Sequence, residues 1–146
     1  MMRIVLDTNI LLSALLSPQG APARLLDAWE RKKFTLVACD ELIAELREVA
    51  ERPFFRARLR ASKAELLAAG LRDFSFFVET NSIRDLHSQA VAPDPKDSYL
   101  LALAEAGRAE FLVTGDKKLL AHKHHLSTRI ITPAAMIEAL KAKGNL

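Results

Sequence analysis

The run Arg3-Ile4-Val5-Leu6-Asp7-Thr8-Asn9-Ile10-Leu11-Leu12 constrains this chain more than any other stretch. A β-branched apolar run stops at a carboxylate, and a longer apolar run begins three residues later. The first run, roughly Arg3 to Leu6, reads as a strand buried on both faces of a parallel sheet. The second, Ile10 to Leu16, reads as a short helix closed by the turn Ser17-Pro18-Gln19-Gly20. Strand, turn and helix in that order deliver Asp7 to the carboxyl end of a buried strand. A partly buried carboxylate there needs a partner.

The rest of the chain repeats the alternation of short apolar runs with amphipathic ones, which is the α/β pattern. Pro22 opens a helix to about Arg31, with Leu25, Leu26, Ala28 and Trp29 on its apolar side. Phe34 to Ala38 is the second strand. Asp40 is expected to cap a helix running to about Glu51, lined by Leu42, Ile43, Leu46, Val49 and Ala50 and ended by Pro53. A basic helical piece, Phe54 to Arg60, precedes a helix capped by Ser62 and running from Lys63 to Leu71 or as far as Phe74. Phe76 to Glu79 is a third strand, and residues 80–93 are expected to be a long polar connection. The pattern is helical again from Asp94 to Gly107, which suits the C′ position. Phe111 to Thr114 and Arg129 to Ile131 are the last two strands. Thr132-Pro133 starts a final helix by cap and N1 proline. One domain spanning residues 1–146 is expected, since nothing in the sequence reads as a linker or repeat.

Ligands of an open parallel sheet bind beyond the carboxyl ends of its strands. Asp7 ends the first strand, and Asp116 follows the fourth through Thr114-Gly115. Glu45 lies in the early turns of the helix after the second strand, one turn beyond Glu41. Asp97 sits in the first turn of the helix leading into strand four. Each has an ordinary reading: Asp94 as N-cap with Asp97 at N3, Asp116 as cap of a helix starting at Lys117, and Glu45 in a solvated stripe with Glu41 and Glu48. Four acids at one sheet edge still repel one another unless a cation holds them. A hard divalent metal, and so phosphate chemistry, is the inference. Asn9 and Thr114 are placed to orient these acids through hydrogen bonds.

These residues resemble the PIN-domain family, specifically its toxin-type, VapC-like group. The matching pieces are Val5-Leu6-Asp7-Thr8-Asn9-Ile10-Leu11, Asp40-Glu41-Leu42-Ile43-Ala44-Glu45-Leu46, Asp94-Pro95-Lys96-Asp97 with the helix after it, and Val113-Thr114-Gly115-Asp116-Lys117-Lys118-Leu119-Leu120. The resemblance covers essentially the whole chain. It implies a three-layer fold whose central parallel sheet has about five strands in the order 3-2-1-4-5. It also implies an endoribonuclease dependent on Mg²⁺ or Mn²⁺, with Asp7, Glu45, Asp97 and Asp116 as the acidic quartet and metal ligands. Asn9 and Thr114 take its helper positions. Asp7 and Asp97 would be the inner ligands, with Glu45 and Asp116 completing the ring. By the same resemblance, many related chains pair with an antitoxin protein, and many form homodimers. Related sequences often carry a further acid where this chain has Ser98.

A net charge of +3 permits a polyanionic partner without demanding one. Lys117, beside the proposed site, is the favoured phosphate contact. Arg52, Arg56, Arg58, Arg60 and Lys63 form a run that reads at least as well as a solvated charged face. His122-Lys123-His124-His125 reads as a cationic loop rather than a zinc site. The lone Cys39 reads as a small core residue, and an intracellular, cytoplasmic protein is expected. Neither a signal peptide nor a bilayer-spanning run is expected. Two rivals remain: a PIN-like RNA-binding or regulatory domain without activity, and a phosphatase with an Asp nucleophile. The second wants an acid at Asn9.

Overall fold

The computed structural model describes the backbone of residues 1–87 and 95–146, and the side chains of residues 1–84 and 98–146. In chain order its elements are β1 (Arg3–Leu6), α1 (Thr8–Leu16), α2 (Ala21–Glu30), β2 (Thr35–Cys39), α3 (Asp40–Ala50), α4 (Pro53–Arg56), α5 (Ala61–Phe74) and β3 (Phe76–Val78). They continue with α6 (Thr80–His87), α7 (Pro95–Ala106), β4 (Phe111–Val113), α8 (Lys117–His122), β5 (His124–His125), β6 (Thr128–Ile131) and α9 (Pro133–Ala142).

The strands form one sheet in the order β3-β2-β1-β4-β6-β5. Every pairing is parallel except that of β5 with β6. The β1 strand is central, with Ile4 opposite Leu36 of β2 and Leu6 opposite Val113 of β4. Its Ile4, Val5 and Leu6 are fully enclosed, as a continuous apolar run requires. Helices flank the sheet: α7 lies across β1, β2 and β4 with α6 against it, α3 and α5 lie on β2, and α9 packs on β4 and α2. Leu42, Ile43, Leu46 and Val49 of α3 turn inward at helical spacing.

The five expected strands occur in the expected order, with β6 as the fifth. The sheet then gains a sixth strand at its edge, which the sequence reading placed in a cationic loop. His124 and His125 pair antiparallel with Arg129 and Thr128. The hairpin depends on Leu126 at φ 53°, a left-handed conformation that a leucine does not advertise.

Residues 80–93 were expected to be a connection, yet 80–87 form α6. Its support is tertiary: Ile83 is buried and the helix packs on α7. The rest of that connection, with the expected cap Asp94, lies outside the described residues.

Three caps also differ. Cys39, not Asp40, is the N-cap of α3. The Asp40 carboxylate instead accepts from Arg72 at 3.1 Å and Thr80 at 3.4 Å, tying α3 to α5 and α6. Arg60 rather than Ser62 is the N-cap of α5. Gly107 does not provide a left-handed C′ residue; Arg108 takes the positive φ, at 51°. Gly107 is needed for space, because a Cβ there would collide with Val37 of β2 and come within 3.2 Å of the Leu103 carbonyl.

The Thr132 cap is as expected, its hydroxyl accepting from the Ala135 amide at 3.2 Å. Thr132→Ala should destabilise the protein by about 1 kcal/mol in urea unfolding, the usual cost of a lost N-cap.

Candidate active site at the carboxyl edge of the sheet

The register of β1 and β4 builds the centre of the site. Leu6 faces Val113, so Asp7 and Thr114 form the next rung, and the Asp7 amide still donates to the Val113 carbonyl at 3.0 Å. Across that rung the Thr114 hydroxyl donates to Asp7 Oδ2 at 2.8 Å. The same hydroxyl accepts from the Asp116 amide at 3.1 Å. Thr114 is fully buried and Asp7 is 8% exposed, so both are fixed by the sheet itself.

Glu45 joins from α3. The Thr8 hydroxyl lies 3.2 Å from Glu45 Oε1 and 3.4 Å from Asp7 Oδ1. A hydroxyl has one hydrogen, so two carboxylates share a single donor. Glu45 is half-buried, as is Glu41, whose Oε2 is enclosed without a hydrogen-bond partner among the described residues. Glu48 is exposed and reaches Arg52 at 3.8 Å. The three glutamates therefore do not form one solvated stripe: Glu41 and Glu45 face inward.

Asp116 lies at the rim. Its Oδ1 accepts from the Lys118 amide at 2.9 Å, so it caps α8. Lys117 and Lys118 are exposed beside it. Asp97 lies in the first turn of α7, and its side chain is outside the described residues. The last turn of that helix adjoins the start of β1, where Arg3 donates to the Gly107 carbonyl at 3.1 Å. The helix spans the sheet from there, so its first turn stands at the strands' carboxyl edge.

Burial pushes the Asp7 pKa up. The Thr114 hydroxyl, the Asn9 amide and the Thr8 hydroxyl and amide oppose that shift without cancelling it. Neither amide forms a true cap bond to Asp7. The Asn9 side chain itself is exposed, so its described contribution is its backbone N–H.

Among the described residues, no lysine or arginine pairs with Asp7, Glu45 or Asp116. Nor do three described histidine, cysteine or acidic side chains converge as a ready metal cluster. What converges is Asp7 with Glu45 through Thr8, and Asp7 with the Asp116 loop through Thr114. Hard carboxylate oxygens without their own cation suit a divalent ion that keeps much of its water.

The basic run is largely occupied with itself. Arg56 lies 3.9 Å from Glu51, and Arg58 stacks on Phe54 and donates to its carbonyl at 2.8 Å. Phe55 is buried while Phe54 is 55% exposed. Thr8 is the site residue that sequence reasoning missed. Thr8 stands inside the Asp-Thr-Asn motif, so the signal was present. Burial pushes the Cys39 thiol up to about 12, with Glu41 adding to the shift, so it is an inert core group.

A family model described as "PIN domain" matches residues 3–118. The uncharacterized protein MJ1680 of Methanocaldococcus jannaschii is 23% identical over 145 residues, covering 93% of this chain and 90% of that protein. The crystal structure of PAE2754 from Pyrobaculum aerophilum superposes with a TM-score of 0.62 at 19% identity, over 97% of this chain and 90% of the other. FitAcB from Neisseria gonorrhoeae gives 0.54 at 19% identity, over 90% and 98%. FitAB bound to an IR36 DNA fragment gives 0.53 at 18%, over 89% and 94%. At these identities the structural likeness carries the fold.

Proposed function

This chain belongs to the PIN-domain family, and from that premise we propose that it is a metal-dependent endoribonuclease, the toxin of a toxin–antitoxin pair. The observation that carries the reading is Asp7: a buried carboxylate at a strand end, with no cationic partner among the described residues, linked through one hydroxyl to Glu45.

Mg²⁺ or Mn²⁺ would be held by Asp7 and Asp97, with Glu45 and Asp116 completing the set. Such an ion lowers the pKa of water and neutralises charge on a phosphodiester in hydrolysis. The chain's own residues do the positioning. Thr114 fixes one Asp7 oxygen and leaves the other facing Thr8 and Glu45. Lys117 and Lys118 stand exposed at the rim, where phosphates of a single strand can be gripped. Arg52 is a weaker candidate contact, since Glu48 already engages it.

An antitoxin partner is supported by a separate surface. A trough of about 690 Å³ runs between α2 and α5, lined by Leu15, Leu26, Trp29, Leu66 and Phe74. Leu66 and Phe74 are 73% and 77% exposed, an apolar surface of the kind a partner covers. The reading includes a cytoplasmic location and leaves room for a homodimer. Among the described residues no helix is long and apolar enough to cross a membrane.

The test is cleavage of defined single-stranded RNAs with Mg²⁺ or Mn²⁺ and with a chelator. The expected result is cleavage that falls to background on chelation and returns when Mn²⁺ is restored. Binding without cleavage under every condition overturns the nuclease reading in favour of an inactive RNA-binding domain. Release of phosphate from small monoesters favours the phosphatase.

A further inference from the structure

The longest interval of this chain without a carboxylate begins where the acidic site ends. No aspartate or glutamate lies between Asp116 and Glu138, although the chain holds 18 of them. The same interval carries Lys117, Lys118, Lys123 and Arg129, with His122, His124 and His125. Its first part is α8 and the β5–β6 hairpin, and α8 starts directly after Asp116, whose carboxylate caps it.

The hairpin sorts these side chains by face. His125 lies opposite Thr128, and both turn inward: His125 Nε2 lies 3.4 Å from Glu105 Oε2, and the Thr128 hydroxyl donates to the Ala109 carbonyl at 2.7 Å. The neighbouring pair, His124 opposite Arg129, stands on the other face, and both are exposed. Lys123 makes the turn into β5 at φ 62°, and its carbonyl accepts from the Ile130 amide at 2.9 Å. Lys118 and His122, four residues apart, share the exposed side of α8.

Two basic side chains opposite each other across a strand pair give one another no stabilisation. Nor do acids offset them: among the described residues, Lys117, Lys118, Lys123 and Arg129 make no ion pair. Elsewhere the chain does pair its cations, with Arg47 3.0 Å from Glu65 and Arg72 3.1 Å from Asp40. Uncompensated positive charge that starts at the rim of the acidic site is complementary to a polyanion entering it.

We propose that α8 and the β5–β6 hairpin form a track for the backbone phosphates of a single-stranded RNA running outward from the acidic site, with Lys118, Lys123 and Arg129 as its contacts. The inference rests on the nuclease reading above and adds the surface that holds the strand beside the scissile bond.

Fluorescence anisotropy in a chelator, with an unstructured RNA of about 12 nucleotides, tests this without cleavage. Each phosphate contact on a single strand contributes about 0.7 to the slope of log Kd against log salt. Asparagine tolerates the positive φ of residue 123. Lys123→Asn combined with Arg129→Gln should therefore lower the slope by about 1.4 and raise Kd about 10-fold near 0.1 M salt. Lys118→Gln, at an exposed position, should lower the slope by about 0.7 and serves if the double variant melts early. Arg56→Gln with Arg58→Gln should leave the slope unchanged. A wild-type slope in the track variants overturns the proposal, and so does an equal loss in the Arg56 and Arg58 variant, since overall charge would then govern binding. If the wild type cleaves RNA with Mn²⁺ while the track variants keep its slope, the track falls and the nuclease reading stands. If the track variants lose slope while no metal supports cleavage, the nuclease reading falls and the track stands.

Discussion

Asp7→Asn should lose RNA cleavage by about 10³-fold, the upper end of what removing one fixed charge-stabilising group costs, while the fold survives. The amide keeps an oxygen that can accept from Thr114, so the rung between β1 and β4 persists. What disappears is the buried negative charge.

Stability should move the other way. Burial raises the Asp7 pKa in the folded state. Between the ordinary aspartate value and the raised one, the folded protein binds more protons than the unfolded chain. Stability from this group therefore falls as pH rises through that window, and the cost stays in place at neutral pH. Asp7→Asn removes it. The metal-free variant should melt at the same temperature as the wild type or higher, and the loss of stability above the acid range should be shallower. Urea unfolding from pH 4 to 8 with a chelator, beside cleavage assays with Mn²⁺, checks both halves. Retained activity eliminates Asp7 as a ligand, and a collapsed melting temperature shows that the carboxylate is structural instead.

The second large effect is on folding. Gly107→Ala should destabilise the protein by about 2–3 kcal/mol, the cost of overpacking a tight contact. The added methyl would strike Val37, a β-branched side chain fully buried in β2 that cannot swing aside. Pushing α7 outward to make room would strain the bond from Arg3 to the Gly107 carbonyl. Val37→Ala alone opens a cavity and is itself destabilising. In the double variant the new methyl enters the vacated space, so the two losses should add to less than their sum. A double-mutant cycle by urea unfolding measures this. Strict additivity would show that Gly107 and Val37 do not meet.

Much of this was legible from residue order. The β1 and β4 runs are so apolar that only a buried parallel strand suits them, and Asp7 and Thr114 follow at once. Their meeting across the sheet needed only the register. The parts that were not legible have physical reasons. The α6 helix has few apolar residues and depends on α7, a contact far from any local signal. The β5 strand depends on a positive φ at Leu126, for which no glycine or asparagine gives warning. Gly107 resembled a helix stop because glycine ends many helices, but its use is close approach to Val37. Asp40 resembled a cap because it precedes an amphipathic run, but Arg72 and Thr80 claim it. Among the candidate site residues, Glu45 alone suggested nothing; Thr8 ties it to Asp7.

The link from the Asp116 amide through the Thr114 hydroxyl to the Asp7 carboxylate has a direction. The amide and the hydroxyl each hand a hydrogen the same way, inward, so the two bond dipoles both point toward Asp7. Reversing any member breaks the alignment: serine at 114 could preserve it and valine could not. The same turn leads straight into Lys117 at the start of α8, so the proposed outer contact with a phosphate and the inner aim of the carboxylate share one short segment.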